Sequence, residues 1–194
     1  MHNRKILIIG EVYVDQHLDI IENGYSTSRL GGIFHAARSC DALNIEYALA
    51  YYAPDYLVKD VEKFGIDVLR ASSIFRLGKV DKAPNVMLIG QSDESGNQLY
   101  ENILGRQAEY VSMLPFMQVL DDFDPTDIII FPGRYGNAGI LSNLSNYEGK
   151  IHIDMNYDCD DILDLDTIKI QTVFLSTSCL LYTSPSPRDP KTSR

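Results

Sequence analysis

Short apolar segments alternate along the chain with segments of helical period, which predicts an α/β protein with a mainly parallel sheet. The first apolar run, residues 6–9, is continuous, as in a strand buried on both faces, and Gly10 stops it. Residues 17–21 alternate polar and apolar and predict a half-exposed strand. Further strands are expected over 46–51, 68–75, 86–91, 98–104, 128–131, 151–153 and 172–175.

Helices are expected between these strands, over 33–43, 54–63, 111–120 and 139–144. The first follows the pair Gly31-Gly32 and ends at Asn44, a residue that tolerates a left-handed backbone. The second begins at Pro54 and closes at Gly65. Because no repeat or interdomain linker interrupts this alternation, the pattern indicates one domain.

Polar residues follow the buried strands at the predicted edge of the sheet. Asp15 comes after the first strand, and Asp154 and Asn156 come after a later one. Ligands of doubly wound sheets bind outside the carboxyl ends of the strands, so these side chains should face one crevice. The pair Gly31-Gly32 offers backbone N–H groups at a helix start, and a carboxylate facing it suits a polyhydroxylated ligand. Turn-forming roles are the plainer alternative for these residues.

In this order, the residues resemble the PfkB family of carbohydrate and nucleoside kinases, which have the ribokinase-like fold. That family opens with a strand and a G-x-x-x-x-D element, as in Gly10 to Asp15, followed by two lid strands and a Gly-Gly element entering a helix. Later matches are Phe64-Gly65-Ile66-Asp67, Asp127 to Gly133 and Asp154-Met155-Asn156. The resemblance spans residues 5–178 and implies a ribokinase-like αβα sandwich with a small β lid.

The resemblance also implies an activity: transfer of the ATP γ-phosphoryl group, with Mg²⁺, to a hydroxyl of a sugar or nucleoside. Substrate-binding roles are implied for Asp15, Gly31, Gly32, His35, Arg106 and Asn156. Arg106 lies where the lid strands of the family return to the core. His35 stands where the family typically has Asn, so either the ligand chemistry differs or His35 is a packing residue.

Motifs of the catalytic half of the family are missing. The sequence contains neither the G-x-G-D motif that carries the catalytic Asp nor the N-x-x-E motif associated with magnesium. Residues 179–189 match, residue for residue, a reading frame of a common transposase-type sequencing adapter; a disordered Ser/Pro-rich tail is the alternative. We therefore expect 1–178 to be the N-terminal part of a PfkB-type kinase domain and 179–194 to be an artefactual disordered tail. The fragment itself is expected to be inactive, without catalytic residues and with little affinity for ATP or Mg²⁺.

A sugar-binding or regulatory module on the same fold, without catalysis, is the alternative function. A Rossmann dinucleotide enzyme fits less well, because no G-x-G-x-x-G spacing follows Gly10. The net charge of −10 argues against nucleic acid or an anionic membrane as partner and favours a small molecule.

The sequence also allows predictions about cellular location and oligomeric state. The sequence has no apolar run of membrane-spanning length, no signal-peptide pattern and no Cys/His cluster, which predicts a cytoplasmic protein without a metal site. A homodimer formed through the lid is a further hypothesis.

Overall fold

The structure is a computed structural model that describes residues 4–18, 27–92, 98–131, 133, 137–155 and 169–175. The tail predicted over 179–194 lies outside these residues. The strands are β1 Lys5–Glu11, β2 Val14–His17, β3 Thr27–Leu30, β4 Glu46–Ala53, β5 Ser73–Asp81, β6 Val86–Ser92, β7 Gln98–Ile103, β8 Glu109–Ser112, β9 Asp127–Ile130, β10 Lys150–Met155 and β11 Ile170–Leu175. The helices are α1 Phe34–Ala42, α2 Val58–Lys63, α3 Phe116–Phe123 and α4 Asn137–Asn143.

The strands form two sheets. The central sheet has seven strands in the order β11-β10-β9-β1-β4-β5-β8, and only the β5–β8 pair in it is antiparallel. The smaller sheet, which we call the lid, has the order β3-β2-β6-β7. This arrangement confirms the predicted α/β class, with its parallel-rich sheet and small β lid.

Strand β1 lies at the centre of the central sheet and is buried on both faces. Leu7 and Ile9 pack into the core that includes residues of α3 and α4, and Ile8 packs into the core that includes residues of α1 and α2. All three side chains are fully buried. A strand covered by helices on both faces needs a continuous apolar run, and the run at 6–9 therefore predicted such a strand correctly.

The strand predicted over 68–75 is wrong in its first half. Helix α2 continues as a π-helical turn, Phe64–Val68, and β5 begins only at Ser73. Gly65 lies inside this turn rather than closing the helix, and its carbonyl accepts a hydrogen bond from the Ala71 N–H at 2.8 Å. The chain then reverses at Arg70, which has a φ of 53°. Leu69 and Ala71, the apolar residues between the π-helical turn and β5, therefore end a helix and do not extend a strand.

The helix predicted over 111–120 also begins too early. Residues of β8 occupy its first part, where Val111 pairs with Lys79 of β5. Helix α3 starts after Pro115. The proline ring fixes φ of this residue at −60°, which is compatible with the start of a helix. Pairing with a sheet edge has overridden the apolar pattern of this segment. In the described part of the chain, no helix has the length and apolar character that a bilayer crossing needs.

Two tyrosines of β4 allow a matched stability test. Tyr47 and Tyr51 are both buried, and burial raises the pKa of each to about 12. The Tyr47 hydroxyl donates to the Leu69 carbonyl, whereas the Tyr51 hydroxyl has no hydrogen-bond partner among the described residues. We expect Tyr47→Phe to lower the free energy of unfolding by about 1 kcal/mol, and Tyr51→Phe to leave it unchanged or raise it. Urea unfolding of both variants at neutral pH checks this, and equal losses would contradict it.

Candidate ligand site between the lid and helix α1

Asp15 lies in the lid and not in a loop after β1. Strand β1 runs through Gly10 to Glu11, and β2 begins at Val14, three residues before the predicted strand. Asp15 pairs with Arg29 of β3 in the antiparallel register of the lid. Because only two residues separate β1 from β2, the carboxylate stays close to the end of the central strand although a different sheet carries it.

The Asp15 carboxylate is buried, with 3% of the residue exposed. The Nε2 atom of His35 lies 3.0 Å from its Oδ2 atom, and the Nε atom of Arg29 lies 3.7 Å from the same oxygen. Neither approach has hydrogen-bond geometry, so Oδ2 is held electrostatically and has no hydrogen-bond partner within the described residues. On another side the carboxylate lies against Gly31, where the Cβ of any other residue would overlap it.

The glycine pair turns the chain from β3 into α1 against the segment 11–13. The Gly31 N–H donates to the Tyr13 carbonyl at 2.8 Å, and the Ile33 N–H donates to the Glu11 carbonyl at 3.1 Å. Gly32 has a φ of +61°, and a Cβ there would meet the Glu11 carbonyl. The pair is thus required for a tight turn and for close approach to Asp15, but the Gly31 N–H is engaged within the chain and does not face a ligand.

Glu11 is a buried carboxylate that the sequence reasoning missed. Its side chain accepts hydrogen bonds from the hydroxyls of Tyr13 at 2.7 Å and Tyr110 at 2.8 Å, and from the Asn85 amide at 3.3 Å. Burial, together with the charge of Glu11 and the hydrogen bond to it, raises the pKa of Tyr13 above its usual range. Glu11 is the first polar residue after the buried run, and that position was the signal that could have identified it.

Two further predicted residues, Arg106 and Asp154, make no hydrogen bond or ion pair with Asp15 within the described residues. Arg106 is exposed in a 3-10 turn, Gly105–Gln107, after β7. Asp154 is partly buried in β10, where burial raises its pKa. Strand β9 separates β10 from β1, which places the two strands about 10 Å apart. Asn156 lies outside the described residues, so the predicted convergence of Asp15 and Asn156 stays a prediction.

The described residues offer no metal site. Among them, no three His, Cys, Asp or Glu side chains are grouped so that they could hold a metal ion. The fit of this part of the chain to Mg²⁺ is therefore poor, and the predictions on Mg²⁺ and ATP remain predictions.

Comparison with known proteins identifies the fold. No family model matches the sequence, and no curated protein matches it. Among solved structures, ribokinase from Giardia lamblia matches with a TM-score of 0.57 and 16% identity, over 81% of this chain and 52% of that one. A PfkB family carbohydrate kinase from Listeria grayi matches with a TM-score of 0.54 and 14% identity, over 80% and 52%. Fructokinase from Xylella fastidiosa matches with a TM-score of 0.54 and 12% identity, over 80% and 51%.

The chain has the ribokinase-like fold. The αβα sandwich with a small β lid, predicted from the order of motifs, is thereby confirmed. The chain spans about half the length of the solved structures it matches. At these identities the likeness shows the fold alone, so the roles of individual residues rest on the geometry described above.

The contact between Asp15 and Gly31 in the ribokinase-like fold predicts a measurable coupling. We expect Gly31→Ala to lower the free energy of unfolding by about 1–3 kcal/mol, because the new methyl group overlaps the Asp15 carboxylate. In an Asp15→Ala background the loss should be smaller, because the overlapping carboxylate is gone. Gly32→Ala is the control, since it meets backbone at a positive φ and should be equally costly in both backgrounds. Urea unfolding of the set gives the coupling energy, and additive effects of Gly31→Ala and Asp15→Ala would contradict the contact.

The Glu11 hydrogen bonds predict a second stability difference. Tyr110→Phe should lower the free energy of unfolding by about 1.5–3 kcal/mol, because it removes a donor to a buried charged group. Tyr56→Phe, whose hydroxyl donates to the Pro84 carbonyl at the exposed surface, is the matched control and should change stability by less than about 0.5 kcal/mol. Thermal or urea unfolding measures both, and a similar effect in the two variants would disprove the special role of Glu11.

Proposed function

We propose that the chain forms the acceptor-binding part of a carbohydrate or nucleoside kinase, an enzyme that transfers the ATP γ-phosphoryl group to a hydroxyl of its substrate. The observation that carries the proposal is the buried Asp15 carboxylate, packed on Gly31 at the start of α1 in a ribokinase-like fold. A carboxylate accepts hydrogen bonds from hydroxyls, and the absence of a side chain at Gly31 permits close approach. Sugar kinases among the solved structures with this fold support the assignment.

Each residue of the site has a distinct role in this proposal. Asp15 receives a ligand hydroxyl, the turn at Gly31-Gly32 sets the position of α1, and His35 presents its ring from the first turn of that helix. In a complete kinase ATP would supply the phosphoryl group and Mg²⁺ would offset its charge, but the described residues form no Mg²⁺ site. Because the sequence has no G-x-G-D motif, this chain is proposed to bind the acceptor and not to turn over ATP.

A non-catalytic sugar-binding module is the second candidate. The observation that favours it is the approach of His35 and Arg29 to Asp15, which sets the site apart from the Asn-containing pattern of the kinases. A longer coding sequence that contains G-x-G-D would favour the kinase, and one without it would favour the module.

Titration calorimetry of the 194-residue chain with sugars and nucleosides tests the proposal. Asp15→Asn should weaken binding by about 1–3 kcal/mol, which is roughly fivefold to 150-fold, because the amide replaces one acceptor by a donor. Asp41→Asn is the matched control: it alters an ion pair with Arg70, 3.0 Å long, on the exposed side of α1, and should leave affinity unchanged. A coupled assay for ADP should show no sugar-dependent turnover. Equal affinity of the Asp15→Asn and wild-type chains would contradict the site, and sugar-dependent ADP release would contradict the proposed lack of turnover.

A further inference from the structure

The Asp15 carboxylate is covered by two basic side chains. Its Oδ2 atom is buried, and the side chains that lie over it, His35 and Arg29, are each half exposed. A ligand at this position therefore meets an imidazole and a guanidinium before it meets the carboxylate. A neutral hydroxyl can reach Oδ2 only if one of these basic groups moves aside.

Among the described residues, positive charges outnumber negative ones around Asp15. Arg38 of α1 lies close enough that Arg29 and Asp15 both influence its pKa, which is lowered, first by burial and then by the positive charge of Arg29. One guanidinium nitrogen of Arg38 donates to the Leu30 carbonyl at 2.7 Å, and its Nη1 atom is buried without a hydrogen-bond partner among the described residues. Arg29 thus contacts the carboxylate, Arg38 lies near it, and His35 is a third basic side chain at the same place.

A cavity next to these side chains extends the positive region. It has a volume of about 420 Å³, and its lining includes Arg29, Arg38 and Lys63, with Asp60 as the one acidic residue among the described residues that line it. The whole chain carries a net charge of −10, so a local excess of positive charge stands out against an acidic background. Excess positive charge in a partly desolvated site attracts an anionic group and repels a cationic one.

We propose that the ligand of this site is a polyhydroxylated compound that carries an anionic group, a carboxylate or a phosphate, and that Arg29 and His35 bind that group above Asp15. This inference rests on the proposed function and narrows it from sugars in general to acidic sugars. Arg29 can form a charge-assisted, bidentate contact with a carboxylate or a phosphate, which a single neutral hydroxyl cannot form. Asp15 then orients Arg29 and His35 and remains the acceptor for a ligand hydroxyl.

Matched ligands that differ only in the anionic group test the inference. The wild-type chain is titrated by calorimetry at low salt and neutral pH with glucose, glucuronate and glucose 6-phosphate, and with ribose and ribose 5-phosphate. We expect at least one anionic member to bind roughly tenfold more tightly than its neutral partner, with a preference that weakens as salt is added. The relative affinities for glucuronate and glucose 6-phosphate show whether carboxylate or phosphate is the preferred anion.

Three variants assign the preference to the named residues. Arg29→Gln should bring the anionic and neutral affinities to within about threefold of each other, and Arg29→Lys should keep much of the preference. His35→Asn should raise the affinity for the neutral sugars, because it uncovers Asp15. Arg70→Gln, which removes a positive charge from the exposed ion pair with Asp41, is the control and should keep the full preference. Circular dichroism confirms that each variant is folded.

The failures of the two proposals are distinguishable. Neutral sugars could bind the wild-type chain as tightly as their anionic partners, with Asp15→Asn lowering the affinity for them. This result would exclude the anionic ligand and support the sugar site at Asp15. If an anionic preference exists but persists in Arg29→Gln, the assignment to Arg29 is wrong. If no ligand binds, both the proposed function and this inference are overturned.

Discussion

The carboxylate of Glu11 joins the central sheet to the lid. It ends β1, the buried strand at the centre of the sheet, and accepts hydrogen bonds from Tyr110 at the edge of the same sheet and from Asn85, which leads into the lid. A second bond from the Asn85 amide, to the Val12 carbonyl at 3.0 Å, holds the crossing between the sheets in place. A buried carboxylate without such partners would be strongly unfavourable, so this set of bonds constrains the relative position of sheet and lid.

The candidate site inherits its geometry from this crossing. The carbonyls of Glu11 and Tyr13 accept the hydrogen bonds that hold the glycine turn, and two residues later Asp15 lies against the same turn. This glycine turn determines where α1 begins, and α1 places His35 and Arg38 beside the lid. Positions in two segments of the chain, 11–15 and 31–38, are thereby coupled through backbone atoms.

The electrostatic character of the site differs from that of the molecule. An acidic chain concentrates basic side chains around one buried carboxylate, and within the described residues only part of their charge is compensated. Elsewhere, opposite charges meet in pairs at the surface, as in the contact of Lys82 with Glu109. Exposed pairs of that kind contribute little to stability, whereas an incompletely compensated cluster beside a cavity is a feature that a ligand can use.

The local sequence pattern determined several elements of the fold without reference to tertiary contacts. The unbroken apolar run at 6–9 identified a strand buried on both faces, Asn44 has the left-handed backbone expected of a helix end, with a φ of 53°, and the ordered motifs pointed to the ribokinase-like fold. These features depend on a residue and its near neighbours. Tertiary structure alone decided that Val111 joins a sheet edge, that Leu69 ends a helix and that Asp15 belongs to the lid. It also decided that Glu11 is buried among partners up to 99 residues away, and that His35 and Arg29 cover Asp15. Such outcomes depend on pairing and charge between distant segments, and a local pattern contains no information about which segments meet.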